Sequence, residues 1–146
     1  MGDYIEEFAF AKRTIKIYRA ARNAGITLEY QFTAILGTLL NVFSCICPDD
    51  KFMLNLKPLL SDVDKFPRFR EIHPTCNITN LQAYLKNIRN GLAHKTSKNF
   101  NASSNESGEI LSINISSKGY NGNVVQMNLN DLEIILELLE VEIKKY

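Results

Sequence analysis

The sequence has few cysteines, and their spacing suits neither a disulfide framework nor a metal site. Cys45, Cys47 and Cys76 are three in a chain of 146 residues, and an odd number cannot be fully paired. One residue separates Cys45 from Cys47, whereas the common zinc and redox motifs have two. A zinc site would also need His73, which the spacing does not favour. We therefore expect reduced thiols, no metal and no cofactor.

Long hydrophobic runs are also missing. The most apolar stretch, from Leu28 to Ile46, is interrupted by polar residues such as Glu29 and Asn41, which favours a core helix over a membrane span. The first residues are acidic and lack the hydrophobic region of a secretory signal, so we expect a cytoplasmic protein. The length fits one domain, residues 1–146, and no repeat or domain boundary appears within it.

Acidic residues are absent from one long interval of the chain. No Asp or Glu occurs between Glu71 and Glu106, although the formal net charge of the whole chain is only +1. So small a net charge gives no global field that would draw the protein to nucleic acid. The interval instead concentrates positive charge locally, and it contains both histidines and four basic residues, Lys86, Arg89, Lys95 and Lys98.

Four segments repeat apolar residues at intervals of three and four, which is typical of amphipathic helices. The predicted helices run from about residue 4 to 23, 28 to 46, 80 to 93 and 131 to 145. The second has the widest apolar face, so we expect it to be central. Asn130 and Glu133 form a capping-box-like start for the last helix.

The segment before the last helix predicts a β-hairpin. Apolar and polar residues alternate along residues 110–115 and again along 124–129, with turn-forming residues between them. Residues 51–76 predict an irregular segment, and the Ser- and Asn-rich residues 97–108 predict a mobile loop. The expected fold class is therefore mainly α, a bundle of about four long helices with a β-hairpin inserted before the last helix.

The candidate functional residues lie near the end of the third predicted helix, in the segment from Arg89 to His94. Between them, Asn90 and Gly91 are poor helix formers, and residues that break a local rule without structural gain indicate a candidate functional site. Histidine transfers protons near neutral pH, and arginine binds phosphate through a planar set of donors. Arg89 and His94 lie about 140° apart on an ideal helical wheel. A distorted last turn, or a second copy of the helix across a two-fold axis, is needed to bring them together.

The string Arg89-Asn90-Gly91-Leu92-Ala93-His94 resembles the signature of the HEPN superfamily (higher eukaryotes and prokaryotes nucleotide-binding domains). That signature is an Arg, commonly followed by Asn, Asp or His, then a short spacer that ends in His. The resemblance is close over these six residues and loose over the helical architecture. One branch of the superfamily has a Tyr two positions after the His, as the target of nucleotide modification. This sequence has Thr96 there, so we do not expect that modification.

The resemblance implies a metal-independent endoribonuclease of a toxin or phage-defence type. Such proteins are usually homodimers that act on RNA, and an antitoxin or regulatory protein is among the expected partners. In this interpretation His94 is the general acid or base, Arg89 stabilises charge on the phosphoryl oxygens, and Asn90 hydrogen-bonds the histidine ring or the RNA. The expected substrate-binding residues are three lysines, Lys86, Lys95 and Lys98.

Two other functions stay open at this point. A non-catalytic module would use the same positive segment to bind RNA or a nucleotide, with His94 as a ligand-binding group. A structural or interaction protein would use the polar face of the third helix for dimer contacts only. Other enzyme classes have little support, because the sequence has no Ser/His/Asp order with a nucleophile elbow, no glycine-rich phosphate loop and no His-rich metal motif.

Overall fold

A computed structural model describes residues 2–25, 28–46, 70–71, 81–93, 100–108, 110–116 and 124–145. Most of these residues form the helices α1 (Gly2–Asn23), α2 (Leu28–Ile46), α3 (Leu81–Ala93) and α4 (Leu129–Ile143). The rest include the short strands β1 (Arg70–Glu71), β2 (Phe100–Ser104), β3 (Ile110–Ser116) and β4 (Val124–Met127). The fold of this part of the chain is mainly α, with a hairpin before the last helix, as predicted.

The first two helices begin and end close to their predicted boundaries, because local signals mark their ends. Gly25 follows α1 with φ +88°, the left-handed conformation that commonly ends a helix and favours glycine. Its backbone N–H donates to the Arg22 carbonyl over 3.0 Å. α2 packs against α1, α3 and α4, which confirms that it is the central helix.

The core is a continuous set of apolar side chains from the helices and from β3 and β4. α2 contributes six of its fully or almost fully buried members, Phe32, Ile35, Leu39, Val42, Phe43 and Ile46. An apolar stripe of each neighbouring helix packs against this face of α2; examples are Ile15 from α1 and Ile135 from α4. Each large apolar side chain buried in this way contributes about 1.5–3 kcal/mol relative to exposure. The core therefore holds the helices at fixed positions around α2.

The strands form one antiparallel sheet with the order β1-β4-β3-β2. The central pair, β3 and β4, is the predicted hairpin, with Ile113 opposite Met127. Ile113, Ile115 and Met127 are buried, and α3 packs against β3. One face of the sheet therefore belongs to the core and supports α3.

The two outer strands of the sheet, β1 and β2, were not predicted from the sequence. β2 corrects the predicted loop over residues 97–108, since Phe100 pairs with Ile115 and Asn101 with Asn114. Most of β2 is exposed at the edge of the sheet, where Ser and Asn side chains stay in water and a polar sequence can still pair. β1 pairs with β4 inside the segment predicted as irregular; the remainder of residues 51–76 lies outside the described residues.

The start of α4 differs from the prediction by two residues. Asn128 is the N-cap, and its Oδ1 accepts the Asp131 backbone N–H over 2.9 Å. Asp131 Oδ2 accepts the Asn128 backbone N–H, also over 2.9 Å, which completes a capping box. The predicted pairing of Asn130 with Glu133 is therefore wrong. The two pairs have the same spacing in sequence, and only the packing of α4 distinguishes them.

Candidate functional site

The last turns of α3 contain three of the predicted site residues, Lys86, Arg89 and Asn90. The helix is anchored by its apolar stripe, since Leu85, Ile88 and Leu92 are almost fully buried. It continues through Asn90 and Gly91 and ends at Ala93. The prediction that Arg89 lies in the last part of a helix is therefore confirmed, and the poor helix formers do not end it early.

Arg89 is half-buried beside the apolar stripe of α3. Its Nε atom is shielded from solvent and has no hydrogen-bond partner among the described residues. A buried donor without a partner costs about 1–3 kcal/mol, so native proteins rarely leave one. Because Nε is shielded, an acceptor from outside the protomer reaches it only when the Arg89 side chain moves. The guanidinium group is well suited to phosphate oxygens because its donors are planar and permanently charged.

Lys86 lies between Arg89 and Asn90 on one side of α3, three positions from the first and four from the second. The side chains of Lys86 and Asn90 are half-buried, and residues three and four positions apart on a helix are surface neighbours. We call Lys86, Arg89 and Asn90 the α3 polar patch. It combines two positive charges with an amide that both donates and accepts hydrogen bonds. This set can bind an anion such as a phosphodiester, but it contains no group that transfers a proton near neutral pH.

The proton-transferring residue of the predicted site is His94, which directly follows α3 in the sequence. His94, Lys95 and Lys98 lie outside the described residues. The structure therefore brings together half of the predicted site residues, and the distances to the others stay predictions.

A second polar cluster joins three helices around the carboxylate of Glu133 on α4. Arg19 Nη1 and Arg22 Nη1, both from α1, lie 3.0 Å and 3.1 Å from Glu133 Oε2. The other oxygen, Oε1, accepts hydrogen bonds from the hydroxyl of Tyr18 and from Gln31 Nε2, the latter over 3.4 Å. The Glu133 side chain is only 12% exposed. Its charge therefore has four polar partners, of which Tyr18 and Gln31 are buried and the two arginines are partly exposed.

Tyr18 shows the electrostatic effect of this cluster. Burial, together with the hydrogen bond to Glu133, raises the pKa of Tyr18 from 10.0 to about 12. Both causes favour the neutral phenol, because an ionised oxygen would lose solvation and face the carboxylate. Tyr18 therefore acts as a hydrogen-bond donor at neutral pH.

The local patterns of the sequence did not reveal this cluster. Glu133 was instead predicted to cap its own helix. The members are separated by more than a hundred positions, since Arg19 and Glu133 are 114 residues apart, so no local spacing reveals them. The available signal was compositional, because Arg19 and Arg22 share a helix flank on which no acidic residue could pair them locally.

No group of three or more His, Cys, Asp or Glu side chains placed to hold a metal ion occurs within the described ranges. Cys45 is half-buried, and its thiol donates to Asn41 Oδ1 over 3.8 Å. None of the described helices is both long and apolar enough to cross a membrane.

Comparison with known proteins gives no match to a protein-family model, to a curated protein or to a solved structure. The functional argument for this chain therefore rests on its own residues and on the resemblance of one motif.

Proposed function

We propose that this protein is a metal-independent endoribonuclease of a toxin or phage-defence type. The proposal combines the resemblance of residues 89–94 to the HEPN signature with the geometry of the α3 polar patch. The observation that carries it is Arg89, which is half-buried beside the core and keeps a shielded Nε donor without a partner in the described structure. A neutral side chain of the same size would avoid the cost of this unpaired donor, so the arrangement favours a role for the guanidinium group beyond the fold, such as phosphate binding.

The reaction needs no external nucleophile, because RNA provides its own 2′-hydroxyl. One His94 imidazole removes the 2′-hydroxyl proton as the oxygen attacks the adjacent phosphorus. The bond from phosphorus to the 5′-oxygen breaks, and that oxygen takes a proton from a second imidazole. The products are a 2′,3′-cyclic phosphate and a 5′-hydroxyl. Arg89 stabilises the charge that develops on the non-bridging oxygens.

The two proton transfers support a homodimer as the active form. The chain has two histidines, His73 and His94, and only His94 belongs to the motif, so a single chain offers one imidazole of the motif. Two copies of α3 across a two-fold axis would present two Arg89 and two His94 side chains to one cleft. In that assembly the α3 polar patch faces the RNA from both sides.

The test is cleavage of a labelled single-stranded RNA in the presence of excess chelator. Arg89→Ala and His94→Ala are each expected to lower the cleavage rate by a factor of about 10²–10⁴, the usual contribution of a positioned acid, base or oxyanion donor. End-group analysis is expected to show a 2′,3′-cyclic phosphate. Sedimentation of the parent chain is expected to show a dimer.

Matched controls separate the site from general effects. His73→Ala removes the other histidine, and Arg13→Ala removes an arginine whose guanidinium lies over the Phe10 ring on α1. Both are expected to cleave at the parent rate. Full activity of Arg89→Ala or His94→Ala would remove the proposed role. RNA binding without turnover by the parent chain would instead indicate a non-catalytic RNA- or nucleotide-binding module.

A further inference from the structure

One flank of α1 carries a row of cationic side chains. We call Lys12, Lys16, Arg19 and Arg22 the α1 stripe; they are spaced by four, three and three residues. On a helical wheel they lie within about 120° of one another. The row extends over about 15 Å at 1.5 Å per residue. It lies on a different helix from the α3 polar patch: α1 packs mainly against α2 and α4, whereas α3 packs against α2 and β3.

At one end of the α1 stripe the guanidinium groups are held in place. Glu133 binds one Nη1 atom of each arginine, at 3.0 Å and 3.1 Å. An arginine has five N–H donors, so each keeps donors that Glu133 does not use. The Arg19 side chain is 29% exposed and that of Arg22 is 46% exposed, which leaves both guanidinium groups accessible from solvent. A single carboxylate also neutralises only one of the two charges.

The other end of the α1 stripe opens into a cavity of about 220 Å³ between α1 and α4. Its floor is apolar and consists of Ile15 and Ile143. Its rim carries four charged side chains, Lys12, Lys16, Lys144 and Glu140. The volume lies below the roughly 300–1,000 Å³ of sites for drug-sized ligands, so it suits one nucleotide unit rather than a large cofactor.

The charge on this surface is unbalanced. Three carboxylates, Glu133, Glu137 and Glu140, share the side of α4 that faces α1, by their spacing of four and three. Among the described side chains they oppose five cations, the α1 stripe and Lys144, which is a surplus of two positive charges within that set. The whole chain has a formal net charge of only +1. Such a concentration of like charge repels itself unless an anion binds it.

We propose that the α1 stripe and the adjoining cavity form a second RNA-binding surface, on which successive phosphates contact the stripe and one nucleotide enters the cavity. A row of about 15 Å is long enough to contact a short run of successive phosphates. Proteins that bind single strands without sequence preference use a positive groove in this way. The choice of RNA as the polyanion rests on the function proposed above. The description of the cationic surface is independent of that function.

An acidic membrane fits this surface less well than RNA. Membrane-binding helices place their apolar residues between flanking cations, so that both contact the lipid together. The exposed apolar residues of α1, Phe10 and Ile17, lie about 140–160° around the helix from Lys12. A flat surface cannot contact both groups at once. A nucleic acid strand contacts the cations alone.

The experiment measures binding of a fluorescent single-stranded RNA of about 12 nucleotides over a range of salt concentrations. All chains carry His94→Ala, so that cleavage does not interfere. The test variant adds Lys16→Gln and Lys144→Gln. The control variant adds Arg13→Gln and Lys145→Gln, which remove the same amount of charge outside the α1 stripe and the cavity. Arg13 lies over the Phe10 ring, and Lys145 pairs with Glu142. Urea unfolding midpoints are compared to establish that all chains fold alike.

The test variant is expected to bind RNA at least about fivefold more weakly than the control. The slope of log K against log salt should fall by about 1.4, since each lost contact to a single strand removes about 0.7. Equal affinity and equal slope in the two variants would overturn the proposal. The proposal would also be overturned if the parent chain binds no RNA and the test variant loses binding to phosphatidylserine vesicles.

These results are independent of the cleavage assay. If the test variant loses RNA binding while the chain with native His94 cleaves nothing, the RNA-binding role of the α1 stripe is supported and the proposed nuclease function is contradicted. If both variants bind RNA equally while the chain with native His94 cleaves RNA, the nuclease function is supported and the RNA-binding role of the α1 stripe is contradicted.

Discussion

Arg19 Nη1 on α1 lies 3.0 Å from Glu133 Oε2 on α4, and this contact joins the first and last helices of the chain. Gln31 Nε2 on α2 donates to the other carboxylate oxygen over 3.4 Å. Three helices therefore meet at one carboxylate. Burying a carboxylate is costly, and its donors must offset that cost. The packing of α1, α2 and α4 at this end of the bundle thus depends on the contacts of Glu133 with its partners on α1 and α2.

Replacing Glu133 by Gln tests this dependence. Glu133→Gln keeps the size of the side chain but removes the charge that holds Arg19 and Arg22 together. We expect the free energy of unfolding to fall by about 2 kcal/mol, because two partly buried cations lose their counter-ion. Urea unfolding followed by circular dichroism measures the change.

The matched control for that variant is Glu137→Gln. Glu137 is exposed one turn further along α4, and exposed substitutions usually change stability by less than about 0.5 kcal/mol. Equal unfolding midpoints for the two variants would contradict the stabilising role of Glu133.

The raised pKa of Tyr18 predicts a loss of stability at alkaline pH. The folded-state pKa is about 12 and the unfolded value is 10.0. Unfolding therefore releases a proton between these values, and the contribution of Tyr18 is fully present below pH 10 and declines above it. By pH 11 the decline is about 1 kcal/mol. Tyr18→Phe should show a correspondingly smaller fall in unfolding free energy between pH 9 and pH 11.

Tyr30→Phe is the control for the pH series, because it removes a phenol that is 64% exposed on α2. That variant should lose stability between pH 9 and pH 11 as the parent chain does. A parent-like decline in Tyr18→Phe would show that other groups cause the alkaline loss.

The helices could be predicted from the sequence because their signals are local. The predicted range of α2, residues 28–46, matches the structure at both ends, since its apolar periodicity starts and stops there. β2 could not be predicted, because its Ser- and Asn-rich residues form a strand only through pairing with β3. The capping box of α4 was misplaced by two residues for a similar reason. Asn128 with Asp131 and Asn130 with Glu133 share one spacing, and tertiary packing chooses between them.

The candidate site was predictable to the same extent. The position of Arg89 and Asn90 on α3 followed from helical periodicity. The shielding of Arg89 Nε did not, because it depends on how closely α3 packs against β3 and α2. The Glu133 cluster was invisible because its members belong to three helices distant in sequence.

The corrected capping box of α4 gives a direct comparison of two asparagines. Asn128→Ala removes the side chain that accepts the Asp131 N–H, and we expect a loss of about 1 kcal/mol in the free energy of unfolding. Asn130→Ala changes an exposed residue inside the helix, where Ala is the better helix former, so no loss is expected. Urea unfolding of both variants provides the measurement. A larger loss for Asn130→Ala would restore the boundary predicted from the sequence.

Two arginines of this chain should respond in opposite directions to the same substitution. Arg89→Met removes a shielded donor that has no partner within the described structure, so the free energy of unfolding should stay constant or rise by about 1 kcal/mol. Arg19→Met removes a partner of Glu133 and should lower it by about 1 kcal/mol.

The two variants should rank differently in RNA cleavage and in free energy of unfolding. RNA cleavage should be lost in Arg89→Met, the more stable variant, and retained in part by Arg19→Met, whose arginine lies on a different helix from the α3 polar patch. Residues retained at a cost to stability are expected where activity requires them. If Arg89→Met instead unfolds more easily than the parent by over about 1 kcal/mol, Arg89 supports the fold, and the main argument for an RNA-binding role of its side chain is lost.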